Sequence, residues 1–320
     1  MNLAETRRVL AEAVAATDPR LQELLDYALE GGKGLRPTLV FLCARFGIYD
    51  ALEAGRVAAA IELVHLASLV HDDILDGAAV RRSRPALYRA YGTVPAVLTG
   101  DYLFATAFGL LAKGKKAVLY TVTEAIRSMC SGEIGQLKGG LAGPEAYFTY
   151  IGQKTAALIS AACRCGAILG RVKRNQQECL AQFGWHLGLA YQIVDDCLDL
   201  FGSPERMGKP CRQDLARGLL TLPVLRFLAV TPDAACWRER LARGLEAAEM
   251  EELVEAARGL GCDTYTAAVA ADEVTRALTA LDRLPVNPIQ DELALLAART
   301  LAPLEDPDCP AGYPGMTAAG

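Results

Sequence analysis

Two stretches of the sequence carry aspartates at a spacing suited to a divalent cation. The first, residues 61–76, reads IELVHLASLVHDDILD and places Asp72 and Asp76 four positions apart. In a helix such positions are neighbours on one face, so the two carboxylates would lie together. Ionised carboxylates at the end of an apolar helix need a cation to offset their charge.

The same phrase returns later in the chain. LAYQIVDDCLD (189–199) matches LASLVHDDILD (66–76) at Leu, Ala, Asp, Asp, Leu and Asp. If the two helices pack as a pseudo-symmetric pair, both sets of carboxylates face one cavity, where they would repel each other or remain partly protonated. Mg²⁺ resolves this conflict, because it binds one or two carboxylates together with phosphate oxygens of a substrate. No paired histidines or thiolates suggest zinc instead.

Basic and apolar residues around these aspartates suggest the substrate. Four arginines (81, 82, 84 and 89) follow the first motif directly, and further basic residues stand at 33, 36, 154 and 209. Each alone is typical of a solvated loop, but beside carboxylates they suit a metal-bridged diphosphate. Apolar residues precede both motifs, so the cavity would continue into apolar helix surface. A diphosphate above an apolar tail indicates an isoprenoid ester that ionises to an allylic cation sheltered from water.

The composition predicts an all-α protein. The chain has 320 residues, is 52% hydrophobic, and shows apolar residues at helical spacing with few alternating strand patterns. We expect a single helical domain over 1–304 and a flexible C-terminal tail over 305–320, which is rich in Pro, Gly and Ala. The predicted helices cover 3–30 (divided near Asp18-Pro19), 38–47, 51–76, 94–112, 115–138, 144–170, 174–201 and much of 231–304.

Charge and cysteine usage narrow the class further. A net charge of −5 argues against a nucleic-acid partner. The ten cysteines form no CxxC pair and are typical of buried reduced thiols. The N-terminus lacks the apolar core of a signal peptide. Arg164 and Asp101 interrupt the longest apolar stretches, so we expect a soluble cytoplasmic protein without a transmembrane segment.

From about residue 28 to 225 the chain resembles the trans-polyprenyl (isoprenyl) diphosphate synthases of the long-chain type. The resemblance rests on motifs in a fixed order: GGKGLRP (31–37), HLASLVHDDILDGAAVRRS (65–83), LTGD (98–101), GEIGQ (132–136), KTAAL (154–158), YQIVDDCLD (191–199) and GKPCRQDLARGLLTLP (208–223).

The resemblance implies an isoprenoid-synthase-type helical bundle around a central apolar cavity, a homodimer, and head-to-tail condensation of isopentenyl diphosphate with a growing allylic diphosphate. The released diphosphate, not a side chain, would take the proton that ends each cycle. By position, the Mg²⁺ ligands, for three ions with substrate bound, would be Asp72, Asp76, Asp195 and Asp199. The catalytic set would be Asp72, Asp76, Asp195 and Lys154. The isopentenyl diphosphate site would be Lys33, Arg36, His65 and Arg82, and the allylic site Arg81, Lys154, Thr155, Gln192 and Lys209.

The sequence departs from the family pattern at three positions. Arg212 replaces a glycine of GKPxGxDL, Leu219 replaces a lysine of GKxTLP, and Ser83 replaces the glycine of RRG. Loss of the lysine would weaken allylic diphosphate binding by roughly 1.5–3 kcal/mol. Arg212 or Arg217 could compensate.

Product length follows from the residues beneath the first motif. In this family a bulky aromatic residue five positions before the first aspartate stops elongation at fifteen carbons. This chain has Ala67 there, with Ser68 beside it. We therefore expect an open floor and a product of more than twenty carbons.

Two alternative functions stay open. A non-catalytic subunit of a hetero-oligomeric synthase would have degenerate aspartate motifs, whereas both motifs here are complete. A terpene cyclase or head-to-head coupling enzyme also ionises allylic diphosphates, but such proteins generally lack GGKxLRP and the second motif. Activity of the purified chain alone tests the first alternative, and consumption of isopentenyl diphosphate tests the second.

Overall fold

The computed structural model describes residues 3–31, 34–137, 143–203 and 211–305, and this part of the chain is helical apart from one short hairpin. The helices are α1 Leu3–Ala13, α2 Pro19–Leu29, α3 Leu35–Ala44, α4 Ala51–Leu75, α5 Leu87–Tyr91, α6 Thr93–Leu111, α7 Lys116–Leu137, α8 Pro144–Ile151, α9 Ala157–Leu169, α10 Arg174–Phe201, α11 Gln213–Ala216, α12 Leu222–Val230, α13 Ala234–Arg243, α14 Ala247–Gly259, α15 Cys262–Asp282 and α16 Ile289–Glu305. The predicted all-α class is confirmed. The predicted tail lies outside the described residues except for Glu305.

The starts of α2 and α4 follow directly from the sequence. The Asp18 carboxylate accepts hydrogen bonds from the backbone N–H groups of Arg20 and Leu21, and Pro19 takes the first helical position. The Asp50 carboxylate accepts from Glu53 N at 2.7 Å and caps α4 in the same way. Helix α4 ends at Leu75, with Asp76 as its C-cap. The last aspartate of the first motif therefore stands where the chain leaves the helix.

Helices α4 and α10 form the centre of the bundle. Helix α4 packs against α1, α3 and α6, and α10 packs against α9 and α15. The main core joins both groups through fully buried leucines, among them Leu63 of α4, Leu103 of α6, Leu158 of α9 and Leu180 of α10. Because apolar side chains cover both helices, neither can move without disturbing the core, and their ends hold the two aspartate motifs in place.

A two-stranded antiparallel hairpin, which the apolar pattern of the sequence does not predict, follows the first motif. Strands β1 (Val80–Arg81) and β2 (Arg84–Pro85) have two residues each, too few to show alternation. The turn residues Arg82 and Ser83 have φ of +52° and +62°, as in the tight type I′ turns of hairpins. Tyr27 OH donates to Pro85 O at 2.7 Å, which fixes the hairpin against α2.

The predicted helix 144–170 is interrupted by a π-helical segment, Gly152–Ala156. Such a segment adds a residue to one turn and rotates the side chains that it carries, here Lys154 and Thr155. Helix α10 approaches this segment closely, since a Cβ on Gly188 would lie 2.5 Å from Ala156 Cα. Only glycine allows this contact, and neither feature is visible as a break in apolar periodicity.

Within the described residues, α6 is the one helix long and apolar enough to cross a membrane, judged by length and composition alone. Asp101 lies in this helix but does not bring its hydropathy below that level. Only 33% of the apolar window is buried. Val94 and Leu98 are 69% and 61% exposed, so one face of α6 is an apolar surface.

Candidate active site

The two aspartate motifs face one cavity of about 320 Å³. Its wall includes the four predicted metal ligands, Asp72, Asp76, Asp195 and Asp199. The cavity is also lined by the predicted substrate-binding residues Arg81, Lys154 and Gln192. The structure thus brings together side chains that are more than 120 positions apart in the sequence.

The electrostatics of Asp72 show that the cavity favours positive charge. Burial raises the pKa of Asp72 to about 7. Lys154 opposes the rise, whereas Glu133 and Asp76 add to it and Arg81 again lowers it. A carboxylate crowded by others in a partly buried site becomes fully ionised when a cation binds beside it.

Lys154 is held in the cavity by an acidic and an aromatic partner. Its Nζ lies 2.7 Å from Glu133 Oε1 and 5.5 Å from the centroid of the Tyr150 ring. Burial alone would lower the pKa of Lys154, but Tyr150, Asp72 and Glu133 outweigh burial and raise it. The lysine therefore stays charged, as binding of a diphosphate requires.

The last aspartate of the first motif is paired with an arginine from the far side of the cavity. Arg217 Nη1 lies 2.5 Å from Asp76 Oδ1, and Arg217 Nη2 lies 2.6 Å from Asp214 Oδ1. Asp214 was not predicted as a site residue. It lies in the short helix α11 and shows neither periodicity nor a repeat that would mark it.

The second motif is held by neutral hydrogen-bond donors. Tyr147 OH donates to Asp196 Oδ2 at 2.6 Å, and Gln192 Nε2 donates to Asp196 Oδ1 at 2.7 Å. Thr155 Oγ1 in turn donates to Gln192 Oε1 at 2.6 Å. This chain of hydrogen bonds ties the π segment to α10. Tyr147 was missed because a buried tyrosine is indistinguishable by sequence from an ordinary core residue.

Asp199 is more deeply buried than the other predicted ligands, with 6% of the residue exposed. Its Oδ1 accepts from Gln213 N at 3.3 Å and its Oδ2 from Asp214 N at 3.1 Å. Both N–H groups belong to α11. The carboxylate of Asp199 therefore organises the loop beyond the second motif while it lines the cavity.

The donor set fits Mg²⁺ bound together with a diphosphate. Carboxylate oxygens are the ligands that this ion prefers, and it typically takes only one or two from the protein. Within the described residues, no three Asp, Glu, His or Cys side chains lie close enough to hold a metal ion alone. The gap between the two motifs leaves room for phosphate oxygens to complete the coordination.

A second charged cluster adjoins the first around Arg36, His65 and Arg82. Burial lowers the pKa of His65 well below its usual value, and the charges of Arg36, Arg82 and Arg81 lower it further, so the imidazole is neutral. Glu62, three positions before His65, is 8% exposed, and its Oε2 has no hydrogen-bond partner. Glu62 was not predicted as a site residue, although its spacing from His65 was a usable signal.

Two further features concern this cluster. Arg82 Nη1 donates to Glu30 O at 2.8 Å, which links the hairpin to the end of α2. A larger cavity of about 440 Å³ between α1, α2 and α4 has Glu62 in its wall but none of the predicted metal ligands. The predicted substrate-binding residues Lys33 and Lys209 lie outside the described residues.

The LTGD motif is explained by the packing of α4 on α6. A Cβ on Gly100 would lie 2.2 Å from His71 Nε2, so only glycine leaves space for the imidazole. That nitrogen lies 3.2 Å from Val97 O and 3.7 Å from Asp101 Oδ1. His71 thereby fixes the last turn of α4, which carries Asp72.

The predicted chain-length residues lie beneath the first motif. Ala67 is fully buried in the main core, and Ser68 Oγ donates to His65 O at 2.8 Å. Leu69, two positions closer to the motif than Ala67, lines the cavity. Ala67 itself packs in the core and is not among the described residues that line the cavity.

An all-α bundle whose two central helices end in aspartates, over a shared cavity that also contains basic side chains, is typical of the isoprenoid-synthase class. A family model described as polyprenyl synthetase matches residues 18–257. The heptaprenyl diphosphate synthase component 2 of Geobacillus stearothermophilus is 37% identical over 303 residues, which are 92% of this chain and 94% of that protein.

Solved structures show the same fold. The decaprenyl diphosphate synthase of Rhodobacter capsulatus superposes with a TM-score of 0.89 at 32% identity, over 95% of this chain and 96% of that one. The polyprenyl synthase of Caulobacter crescentus, complexed with calcium and isoprenyl diphosphate, gives a TM-score of 0.89 at 31% identity over 94% of both chains. This chain belongs to the polyprenyl synthetase family and is a prenyltransferase. The predicted family and enzyme class are confirmed.

Proposed function

We propose that this chain elongates an allylic diphosphate by head-to-tail condensation with isopentenyl diphosphate, in a Mg²⁺-dependent reaction, to a product of more than twenty carbons. The observation that carries the proposal is the single cavity shared by Asp72, Asp76, Asp195 and Lys154. Relatives named for heptaprenyl and decaprenyl products support the length. The small, buried side chain of Ala67, five positions before Asp72, supports it independently.

In this proposal the chain's residues bind, orient and shelter the two substrates. Mg²⁺, when bound, supplies the positive charge that favours departure of the diphosphate. Asp72, Asp76 and Asp195 would hold it, and Asp199 would assist. Lys154 and Arg81 bind the allylic diphosphate as charge-assisted donors, with Gln192 and Thr155 beside them.

Isopentenyl diphosphate would bind at the adjoining cluster. Arg36 and Arg82 supply positive charge beside neutral His65, and Lys33 is assigned there by position. Arg81 contributes to the electrostatics of both His65 and Asp72, so the two diphosphates would lie on either side of it. Buried apolar helix surface below excludes water from the allylic cation.

The test is incubation of the purified chain with farnesyl diphosphate, isopentenyl diphosphate and Mg²⁺, followed by chromatographic sizing of the product. We expect products longer than twenty carbons, loss of turnover with a chelator, and recovery with Mg²⁺. A product that stops at twenty carbons would contradict the proposed length, and no consumption of isopentenyl diphosphate would contradict the proposed reaction.

A second candidate is the catalytic component of a two-chain synthase. It is favoured by the similarity to a protein whose name describes it as component 2. The same assay separates the candidates, because a two-chain enzyme would be inactive as the purified single chain. Turnover by this chain alone supports the single-chain proposal.

We further propose that the chain is a cytoplasmic homodimer that associates through α6. Val94, Leu98 and Phe108 form an exposed apolar stripe on α6, and Tyr120 and Ile134 extend it on α7. An exposed apolar surface of this kind is typical of a protein interface. Leu98→Glu should shift the mass measured by light scattering from dimer to monomer. Val286→Glu, on a fully exposed residue elsewhere, is the control and should leave the dimer intact.

A further inference from the structure

One cation in the cavity has no role in the family pattern. Three basic side chains of the described residues line the cavity: Arg81, Lys154 and Arg217. The first two match the pattern, whereas Arg217 does not. Its guanidinium joins Asp76, at the end of α4, to Asp214 in α11. It therefore bridges the two sides of the cavity.

The position of Leu219 indicates a role for the ion pairs of Arg217. Leu219 also lines the cavity, and it stands where the pattern has a lysine. The chain turns sharply between Asp214 and Leu219, since Leu219 N donates to Asp214 O at 2.9 Å and Gly218 has φ of +74°. Arg217 stands two residues before the position of the missing lysine, and its side chain lines the same cavity as Leu219.

The other arginine that could compensate points elsewhere. Arg212 pairs with Glu251 of α14 and does not belong to the cavity wall. Of the two residues, only Arg217 brings its charge to the aspartates. We propose that Arg217 binds the allylic diphosphate in place of the missing lysine and exchanges the Asp76 carboxylate for the diphosphate as the substrate complex forms. This inference rests on the proposed function of the cavity.

The chemistry of the guanidinium suits this exchange. It presents several N–H donors in a plane, so one nitrogen can keep Asp214 while the other turns from a carboxylate to a phosphate oxygen. Asp76 is then free to bind Mg²⁺. A lysine is a compact point charge without this planar arrangement of donors, so it would bind the diphosphate with a different geometry.

The experiment measures binding, not turnover. Titration calorimetry would use a thiolodiphosphate analogue of farnesyl diphosphate with Mg²⁺, and separately isopentenyl diphosphate and Mg²⁺ alone. Arg217→Ala should weaken analogue binding about 10- to 100-fold, as loss of a hydrogen bond to a charged group does. Arg217→Ala should change the affinity for isopentenyl diphosphate by no more than about twofold. It should increase the affinity for Mg²⁺ alone, because Asp76 loses the cation that competes with the metal. Opposite effects on analogue and metal distinguish a binding role from general damage.

Further variants complete the test. Leu219→Lys in the Arg217→Ala background should restore most of the analogue affinity. Arg212→Gly removes an arginine from the same loop and should leave the affinity within about twofold. If Arg217→Ala does not fold, Arg217→Gln keeps the bulk and one donor for the same measurement.

Two results would overturn the inference: an unchanged analogue affinity in Arg217→Ala, or equal weakening of both substrates. If Leu219→Lys in the Arg217→Ala background binds the analogue no more tightly than Arg217→Ala does, Arg217 does not replace the lysine of position 219. If the wild-type chain neither binds the analogue nor forms product, the proposed function itself fails. If the wild-type chain and Arg217→Ala bind the analogue equally well, only this inference fails.

Discussion

The ends of α4 and α10 are alike in sequence and different in their contacts. The second aspartate of each motif is buried, but Asp73 is paired with a charged partner and Asp196 with neutral ones. Arg81 Nε and Nη2 both donate to Asp73 Oδ1, at 2.9 and 2.5 Å. Asp196 accepts from Tyr147 and Gln192 instead. The buried carboxylate of the first motif is therefore paired with a charged group, and that of the second with neutral hydrogen-bond donors.

The third aspartates differ as well. Asp76 caps the end of α4 and meets the mobile charge of a guanidinium, whereas Asp199 stands two residues before the end of α10 and accepts from backbone N–H groups. A side chain can leave its partner more easily than a backbone can. The first aspartates, Asp72 and Asp195, both line the cavity, while the segment after each helix determines the partners of the third aspartate.

The largest expected difference is between Asp72→Asn and Asp199→Asn. Asp72→Asn removes a carboxylate that we propose binds Mg²⁺, so we expect turnover to fall by about three orders of magnitude with little change in melting temperature. Asp199→Asn should cost about 1.5–3 kcal/mol of stability through its backbone partners and reduce turnover less. Steady-state kinetics and thermal melts of both variants check this. Equal loss of turnover with unchanged melting would show that the two carboxylates are equivalent ligands.

The next difference concerns the buried second aspartates. Asp73→Asn leaves Arg81 without its carboxylate, and we expect a loss of about 1.5–3 kcal/mol in the free energy of unfolding together with weaker allylic diphosphate binding. Asp196→Asn keeps shape and can still bond to reoriented Tyr147 and Gln192, so it should cost less than about 1 kcal/mol. Urea denaturation measures both. The reverse order would mean that the second motif, not the first, depends on ionic pairing.

This comparison also shows what the sequence could and could not predict. The helices, the boundary at Asp18-Pro19 and the convergence of both motifs followed from periodicity, turn residues and spacing. The groups that contact the aspartates and their partners could not be predicted, because Tyr147 and Asp214 lie on other elements and are placed only by packing. The π segment was missed since a single extra residue in a turn leaves the apolar pattern nearly unchanged. The roles of the basic residues were assigned from the family pattern, because spacing alone did not distinguish them from the charged residues of a solvated loop.

A third comparison uses the matching alanines five residues before each motif, Ala67 and Ala190, which are both fully buried. Ala67→Phe should shorten the product, because the ring would intrude below the cavity. Ala190→Phe lies where α10 packs on α9 and α15, so overpacking should cost about 1–3 kcal/mol without changing product length. Product sizing with thermal melts decides the matter. Unchanged length in Ala67→Phe would place the floor elsewhere, and shortening by both variants would show that the two helices share it.

The smallest expected effects concern the residue with left-handed backbone that follows each motif. Ser83 and Arg212 have φ of +62° and +61°, and both replace glycines of the family pattern, which explains why glycine is used there. Relief of about 1–2 kcal/mol of local strain is partly offset by the greater freedom of glycine in the unfolded chain.

We therefore expect Ser83→Gly to stabilise the protein by about 0.5–1 kcal/mol. Arg212→Gly should change stability by less, because it also removes the ion pair with Glu251, which at a partly exposed site is worth up to about 1 kcal/mol. Urea denaturation measures both, with Ser128→Gly in α7 as a control that should lose stability, since glycine is unfavourable inside a helix. A Ser83→Gly variant less stable than wild type would show that the turn depends on the serine side chain more than on its backbone conformation.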